Sequence, residues 1–204
     1  MSAFLGPIHY WLYHKIQLQQ DWVEEIITLA QSKYHIDLRK ECDIRYGVSE
    51  RRALEEVIDE SNIHGWLQSQ VTQVEYKLAY TVTSLIEAKA ESLQELEALF
   101  KAKGQATRMA LQDNLDAQQL YGVISDSLLD GMPCDHASSI ISQNEKKVVW
   151  QRNKCVHQKY WEAVQGDVAH YYCLRDAWLS GFVESKGDTW GKIDEKTYWI
   201  QKGE

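Results

Sequence analysis

Proline and glycine are scarce in this chain. Its 204 residues include two prolines and 11 glycines. A chain of this size built only from strands needs many more turn-forming residues, so the scarcity argues against an all-β fold and favours helices. Hydrophobic residues make up 44% and charged residues 25% of the chain, which is typical of one ordinary globular domain.

Long apolar runs are also missing. No stretch of about 18 apolar residues is present, so we expect no membrane span. The first residues lack the charged start and apolar core of a secretory signal, which predicts a cytoplasmic protein. In that compartment the four cysteines, at positions 42, 134, 155 and 173, are expected to stay reduced, as buried thiols or metal ligands.

An excess of basic residues is absent as well. The formal net charge is −8, with 22 lysines and arginines against 30 acidic residues. Affinity for nucleic acid depends largely on basic side chains that neutralise phosphates, so we expect no nucleic-acid partner. Short catalytic motifs are missing too, namely Cys-x-x-Cys, the G-x-x-x-x-G-K phosphate loop and the G-x-S-x-G elbow.

What the sequence does contain is helical periodicity. Apolar residues recur at three- and four-residue spacing over most of the chain, and residues 155–184 read as one long helix rich in aromatic side chains. The sequence therefore predicts an all-α, single-domain bundle of five to seven helices over residues 1–186. Residues 187–204 are predicted to form a short appendage with a possible β-hairpin. The helices are predicted at 8–33, 49–78, 83–103, 106–130, 140–150 and 155–184.

The first candidate metal site consists of two Cys-x-His pairs. Cys134 with His136 and Cys155 with His157 would supply two thiolates and two imidazoles, a donor set that suits tetrahedral zinc. The one-residue gap within each pair is tighter than in common zinc motifs. The alternative is two unrelated cysteines with histidines nearby.

A second candidate site draws on several helices, as bundle proteins that hold iron do. It draws Glu56, Glu60 and His64 from one helix, His157 and either Asp167 or His170 from another, and His9 from the first. Glu56, Glu60 and His64 share one face only if the helix continues through Ser61. If the helix breaks there, these side chains form a solvated face.

Helical phase separates the two histidines of residues 155–184. At about 100° per residue, His157 falls in the middle of the apolar stripe and His170 falls well away from it. His157 is therefore the strongest single candidate for an interior functional group.

Three functional hypotheses follow. The first is a helical metal-binding protein that holds Zn or Fe, with a redox or small-ligand role. The second is a non-catalytic interaction module that binds a protein partner or forms a homo-oligomer. Eight tryptophans and 11 tyrosines motivate it, particularly Trp178, Trp190 and Trp199. The third is a carrier of an apolar small-molecule ligand.

Overall fold

A computed structural model describes residues 4–203 of the chain, which form eight α-helices and one four-stranded antiparallel sheet. The prediction of a mainly helical protein is confirmed, whereas the prediction of a purely all-α fold is wrong. The helices are α1 (Pro7–Tyr34), α2 (Arg39–Tyr46), α3 (Leu54–Val57), α4 (Ile63–Ala88), α5 (Ser92–Met109), α6 (Ala117–Ser127), α7 (Gln158–Ala163) and α8 (Val168–Glu184). The strands are β1 (Ser138–Gln143), β2 (Lys147–Arg152), β3 (Thr189–Lys192) and β4 (Thr197–Gln201).

The chain divides into two compact units. Unit 1 consists of residues 1–90, 126–135 and 157–167, and unit 2 consists of residues 91–125, 136–156 and 168–204. The prediction of a single domain with a boundary at residue 186 is not tested by this division and stays a prediction.

Unit 1 is built on the packing of α1 against α4. Pro7 occupies the first turn of α1, where its missing N–H costs nothing. Both helices bury one apolar stripe at helical spacing, which is the pattern that removes most apolar surface from water. The stripes include Leu12, Ile16, Val23 and Ile26 on α1 and Leu67, Val71, Val74 and Leu78 on α4.

Unit 2 is organised by a close crossing of α5 and α8. A Cβ atom placed on Gly104 would lie 2.0 Å from the carbonyl oxygen of Trp178, and one on Gly181 would lie 1.9 Å from that of Lys101. The two glycines therefore let the helix backbones touch. Gly104 follows the helix predicted over residues 83–103, but in the structure it lies inside α5.

The sheet of unit 2 has the strand order β1-β2-β4-β3. Residues 140–150 are predicted to be helical, and this is wrong: they form most of β1, a turn and most of β2. Val148 and Trp150 are buried two residues apart, which is the period of a strand. The predicted C-terminal hairpin is confirmed as β3 and β4, and β4 also pairs with β2.

The long helix predicted over residues 155–184 is also wrong, because the chain breaks between α7 and α8. Gln165 adopts a left-handed conformation with φ 60°. Within unit 1, Gly166 then comes so close to α4 that a Cβ on it would lie 2.2 Å from Thr83 Oγ1. This contact explains why the helix stops there, although the apolar periodicity continues.

Candidate thiol-imidazole site

The site begins with the loop that follows α6. Leu128 and Leu129 are buried and anchor the chain, and Gly131 then turns it with φ 74°, a conformation that favours glycine. The carboxylate of Asp135 accepts a hydrogen bond of 2.9 Å from the backbone N–H of Met132. This bond closes a single 3-10 turn, Pro133–Asp135, and Cys134 is exposed in its middle.

His64 lies opposite this cysteine. It sits in the first turn of α4, whose start is fixed because the side chain of Asn62 accepts a hydrogen bond from the N–H of Gly65. The Sγ atom of Cys134 and the Nε2 atom of His64 are 3.8 Å apart, and both residues are exposed. An imidazole and a thiol that are 70 residues apart in sequence thus meet at the surface of unit 1.

A buried polar network involving the same loop and the same helix lies in unit 1. Its centre is His157, which is 1% exposed. Its Nδ1 lies 2.9 Å from Glu75 Oε2, and the other oxygen of Glu75 accepts a 3.0 Å hydrogen bond from Gln19 Nε2. Asp130, at the start of the loop, lies 3.5 Å from the Nε2 of His157 and is 25% exposed.

This arrangement keeps His157 protonated. Burial alone would lower the pKa of the imidazole, but the carboxylates of Glu75 and Asp130 outweigh burial and raise that pKa from 6.5 to about 9. At neutral pH the network is therefore an imidazolium between two carboxyl groups. Its ionic contacts connect the loop that carries Cys134 to the helix that carries His64.

The packing of α7 against α4 positions His157. His157 occupies the position just before α7, and the next turn buries Tyr160 and Trp161. The ring of Tyr160 meets that of Tyr76 on α4 edge to face, with centroids 4.9 Å apart. The aromatic anchors of α7 therefore hold the imidazole against Glu75, one residue before Tyr76.

The other predicted ligands lie in different surroundings. His9 accepts a hydrogen bond from the N–H of Gly6 and caps α1, so it helps to begin that helix. Glu60 is exposed on a 3-10 turn, because the predicted helix breaks before α4. Glu56, Glu60 and His64 therefore do not share one face of a helix, and the solvated alternative describes both glutamates.

In unit 2, Cys155 accepts a hydrogen bond of 3.0 Å from the hydroxyl of Tyr172. The carbonyl oxygen of His136 accepts a hydrogen bond from the side chain of Asn153, and the His136 side chain is exposed. His170 is half-buried on α8. The zinc set of two Cys-x-His pairs stays a prediction, and residues 4–203 hold no group of three or more His, Cys, Asp or Glu side chains placed to hold a metal ion.

The other two thiols, Cys42 and Cys173, and the tryptophan Trp178 are at least partly shielded from solvent. Burial raises the pKa of Cys42 to about 11, and burial together with a hydrogen bond to Glu97 raises that of Cys173 to about 11. Trp178 is 1% exposed and stacks on Phe182, so it is a core residue of unit 2. The expectation that it forms an interaction surface is therefore wrong.

Two residues of the site, Glu75 and Asp130, were not predicted from the sequence. Glu75 lies one residue from Val74 and three from Leu78, inside the apolar stripe of α4, and an acidic residue in that position signals a buried partner. Asp130 lies at the end of the helix predicted over residues 106–130, and nothing near it in sequence signals its contact with His157. The contact that joins Cys134 to His64 has no local signal at all.

No helix within residues 4–203 is both long and apolar enough to cross a membrane. Comparison of the chain with models of known protein families, with curated proteins and with solved structures found no match.

Proposed function

We propose that this protein binds a transition-metal ion, zinc in the first instance, through Cys134 and His64. The observation that carries the proposal is the 3.8 Å separation between the thiol sulfur and the ring nitrogen. Zinc binds sulfur at about 2.3 Å and imidazole nitrogen at about 2.0–2.1 Å, which puts two tetrahedral ligands about 3.5 Å apart. The pair needs to close by only about 0.3 Å to hold one ion.

The chemistry of the donors supports the same choice. A thiolate and an imidazole suit zinc and ferrous iron, whereas magnesium and calcium prefer oxygen donors. Two protein ligands leave the remaining positions of the ion to water, a small ligand or a partner. Such a site is open, as catalytic and transfer sites are, and it binds less tightly than a closed structural site.

The buried network links the two segments that carry the proposed ligands. Asp130 precedes the cysteine by four residues and is held by His157, which is held in turn by Glu75 on the helix of His64. Groups behind the ligands that fix their positions commonly change metal affinity by about 10–100-fold. His157 thus acts on the site through the loop.

Cobalt substitution tests the proposal. A thiolate bound to Co²⁺ gives a charge-transfer absorption band in the near ultraviolet, so titration of the metal-free protein with Co²⁺ should produce this band. Cys134→Ser should abolish it, and His64→Ala should weaken Zn²⁺ binding by at least about tenfold in competition with a coloured chelator.

Matched controls come from the other predicted ligands. Cys155→Ser and His136→Ala should leave the band and the affinity unchanged. The proposal is wrong if wild-type protein gives no band or if the band persists in Cys134→Ser. If Fe²⁺ binds more tightly than Zn²⁺, the proposed ligands stand, but iron rather than zinc is the bound metal.

A further inference from the structure

A groove on the surface of unit 2 has a polar lining. Its volume of about 800 Å³ is within the usual range of about 300–1,000 Å³ for sites that bind small molecules. Most such sites have an apolar lining, whereas four of the seven residues that line this groove carry side-chain amides. These four are Gln118, Gln143, Asn144 and Gln201. A ligand of this groove is therefore a polar molecule with many hydrogen-bonding groups.

The turn between β1 and β2 forms one wall of the groove and is held firmly. The side chain of Asn144 accepts a hydrogen bond of 2.9 Å from the N–H of Lys146 inside the turn. The carbonyl oxygen of Glu145 accepts one of 2.8 Å from the N–H of Ala117, at the start of α6. The carbonyl oxygen of Lys146 accepts one of 2.9 Å from the N–H of Lys202, just after β4. The wall is therefore formed before a ligand arrives, which lowers the entropic cost of binding.

The first turn of α6 is poorly suited to bind an anion. Helix N-termini bind anions through backbone N–H groups that have no partner in the helix. Here Ala117 donates its N–H to the carbonyl oxygen of Glu145. Gln119 and Leu120 donate theirs to the side chain and the carbonyl oxygen of Asp116. The carboxylate of Glu145 also lines the groove and repels negative charge, so the wall formed by α6 and the turn favours an uncharged ligand.

The groove continues to a half-buried tryptophan on the same face of the sheet. Lys147 and Gln201 line the groove and pair across β2 and β4, and Trp199 lies two residues before Gln201, on the same side of the sheet. A Cβ atom on its neighbour Gly191 would lie only 2.7 Å from the indole, so the glycine gives the ring room to lie over β3. The ammonium group of Lys147 lies 4.8 Å from the ring centre and joins the groove to the indole.

Amides beside an aromatic ring match the chemistry of a sugar. A sugar hydroxyl both donates and accepts hydrogen bonds, and a side-chain amide does the same. The ammonium groups of Lys146 and Lys147 are further donors to hydroxyl oxygens, and the carboxylate of Glu145 is a further acceptor. One face of a pyranose ring consists largely of apolar C–H groups, which pack well on the flat apolar body of an indole.

We propose that unit 2 binds an uncharged pyranose sugar in this groove. The amides of Gln118, Gln143 and Gln201 contact its hydroxyl groups, and Trp199 packs against its ring. The flexible side chain of Lys147 moves from the indole to a sugar hydroxyl when the ring stacks. The groove belongs to unit 2, whereas Cys134 and His64 belong to unit 1, so the sugar site does not depend on the proposed metal site.

Two-dimensional NMR of the full chain tests the proposal. The probes are the methyl pyranosides of glucose, galactose, mannose and N-acetylglucosamine, each added up to about 20 mM, because an open polar site should bind in the millimolar range. At least one probe should shift the indole N–H signal of Trp199 and the amide signals of the groove along a saturating curve. Inorganic phosphate should shift these signals less than that sugar does.

Variants locate the binding in the groove. Trp199→Ala should weaken binding of the sugar by at least about tenfold, because the ring loses its stacking surface. Gln118→Ala should weaken it by about threefold or more through the loss of a hydrogen bond, and this variant decides if Trp199→Ala unfolds. Gln105→Ala is the matched control for Gln118→Ala, since Gln105 is an exposed glutamine on α5 that does not line the groove, and it should bind like the wild type.

Three results would overturn the proposal. The first is the absence of saturable shifts with all four sugars. The second is binding that neither Trp199→Ala nor Gln118→Ala weakens. The third is a larger effect of inorganic phosphate than of any sugar, which would make the groove an anion site.

Discussion

The imidazole of His157 couples the protonation of one residue to the stability of unit 1. Its pKa is raised from 6.5 to about 9 by two carboxylates despite burial, so the folded state binds this proton more tightly than the unfolded state does. The stabilisation is therefore complete below about pH 6.5 and is lost as the pH rises through about 9. The free energy of unfolding should fall over this interval.

His157→Gln isolates this contribution. The variant leaves Glu75 buried without a cation, so we expect a loss of about 3–5 kcal/mol at pH 6.5, measured by urea denaturation. Its stability should decline less between pH 6.5 and pH 9 than that of the wild type. His170→Ala, on a half-buried histidine of unit 2, should have the wild-type pH dependence. Identical pH profiles for wild type and His157→Gln would show that the imidazole is not the titrating group.

At the scale of elements, the crossing of α5 and α8 depends on its two glycines. A methyl group at Gly181 would lie 1.9 Å from the backbone oxygen of Lys101, which cannot move without moving α5. Gly181→Ala should therefore separate the helices and lower the free energy of unfolding by about 1–3 kcal/mol or more. Gly122→Ala on α6 is the control, because apart from its chain neighbours and the backbone of its own helix no atom lies within 4 Å of the new Cβ, and alanine favours helix by up to about 1 kcal/mol. Equal stability of the two variants would rule out a tight crossing.

The elements also show how far the sequence predicts this fold. Helix α1 has a proline at its start and an uninterrupted apolar stripe, so local signals were sufficient. Residues 140–150 contain both Ile-Ile and Val-Val-Trp, and short apolar runs of this kind suit a helix or a strand equally well. What makes them strands is pairing with β4, about 50 residues later in the chain. The break before α8 likewise depends on Thr83, which is far away in sequence.

In the candidate site too, the sequence predicts local properties but not contacts between distant residues. The phase of residues 155–184 correctly predicts that His157 is interior, because burial on an apolar stripe is a local property. Its partner Glu75 is 82 residues away, and Cys134 is 70 residues from His64. Such contacts depend on how the helices pack, which the periodicity of a single helix does not encode.

For the whole molecule, the path of the chain determines how the two units unfold. The chain passes between them after residues 90, 125, 135, 156 and 167, so each unit consists of three separate segments. If unit 2 unfolded alone, residues 91–125 and 136–156 would stay tethered to unit 1 at both ends. Tethered loops gain less conformational entropy than free chains, which makes partial unfolding less favourable.

We therefore expect one cooperative unfolding transition. Each unit carries four tryptophans, at positions 11, 22, 66 and 161 in unit 1 and 150, 178, 190 and 199 in unit 2, so fluorescence reports on both. Urea denaturation followed by fluorescence and by far-ultraviolet circular dichroism should give coincident curves. His157→Gln in unit 1 and Gly181→Ala in unit 2 should each move the whole curve to lower urea. If either variant instead splits the curve into two steps, the units unfold independently and the prediction of a single domain is wrong.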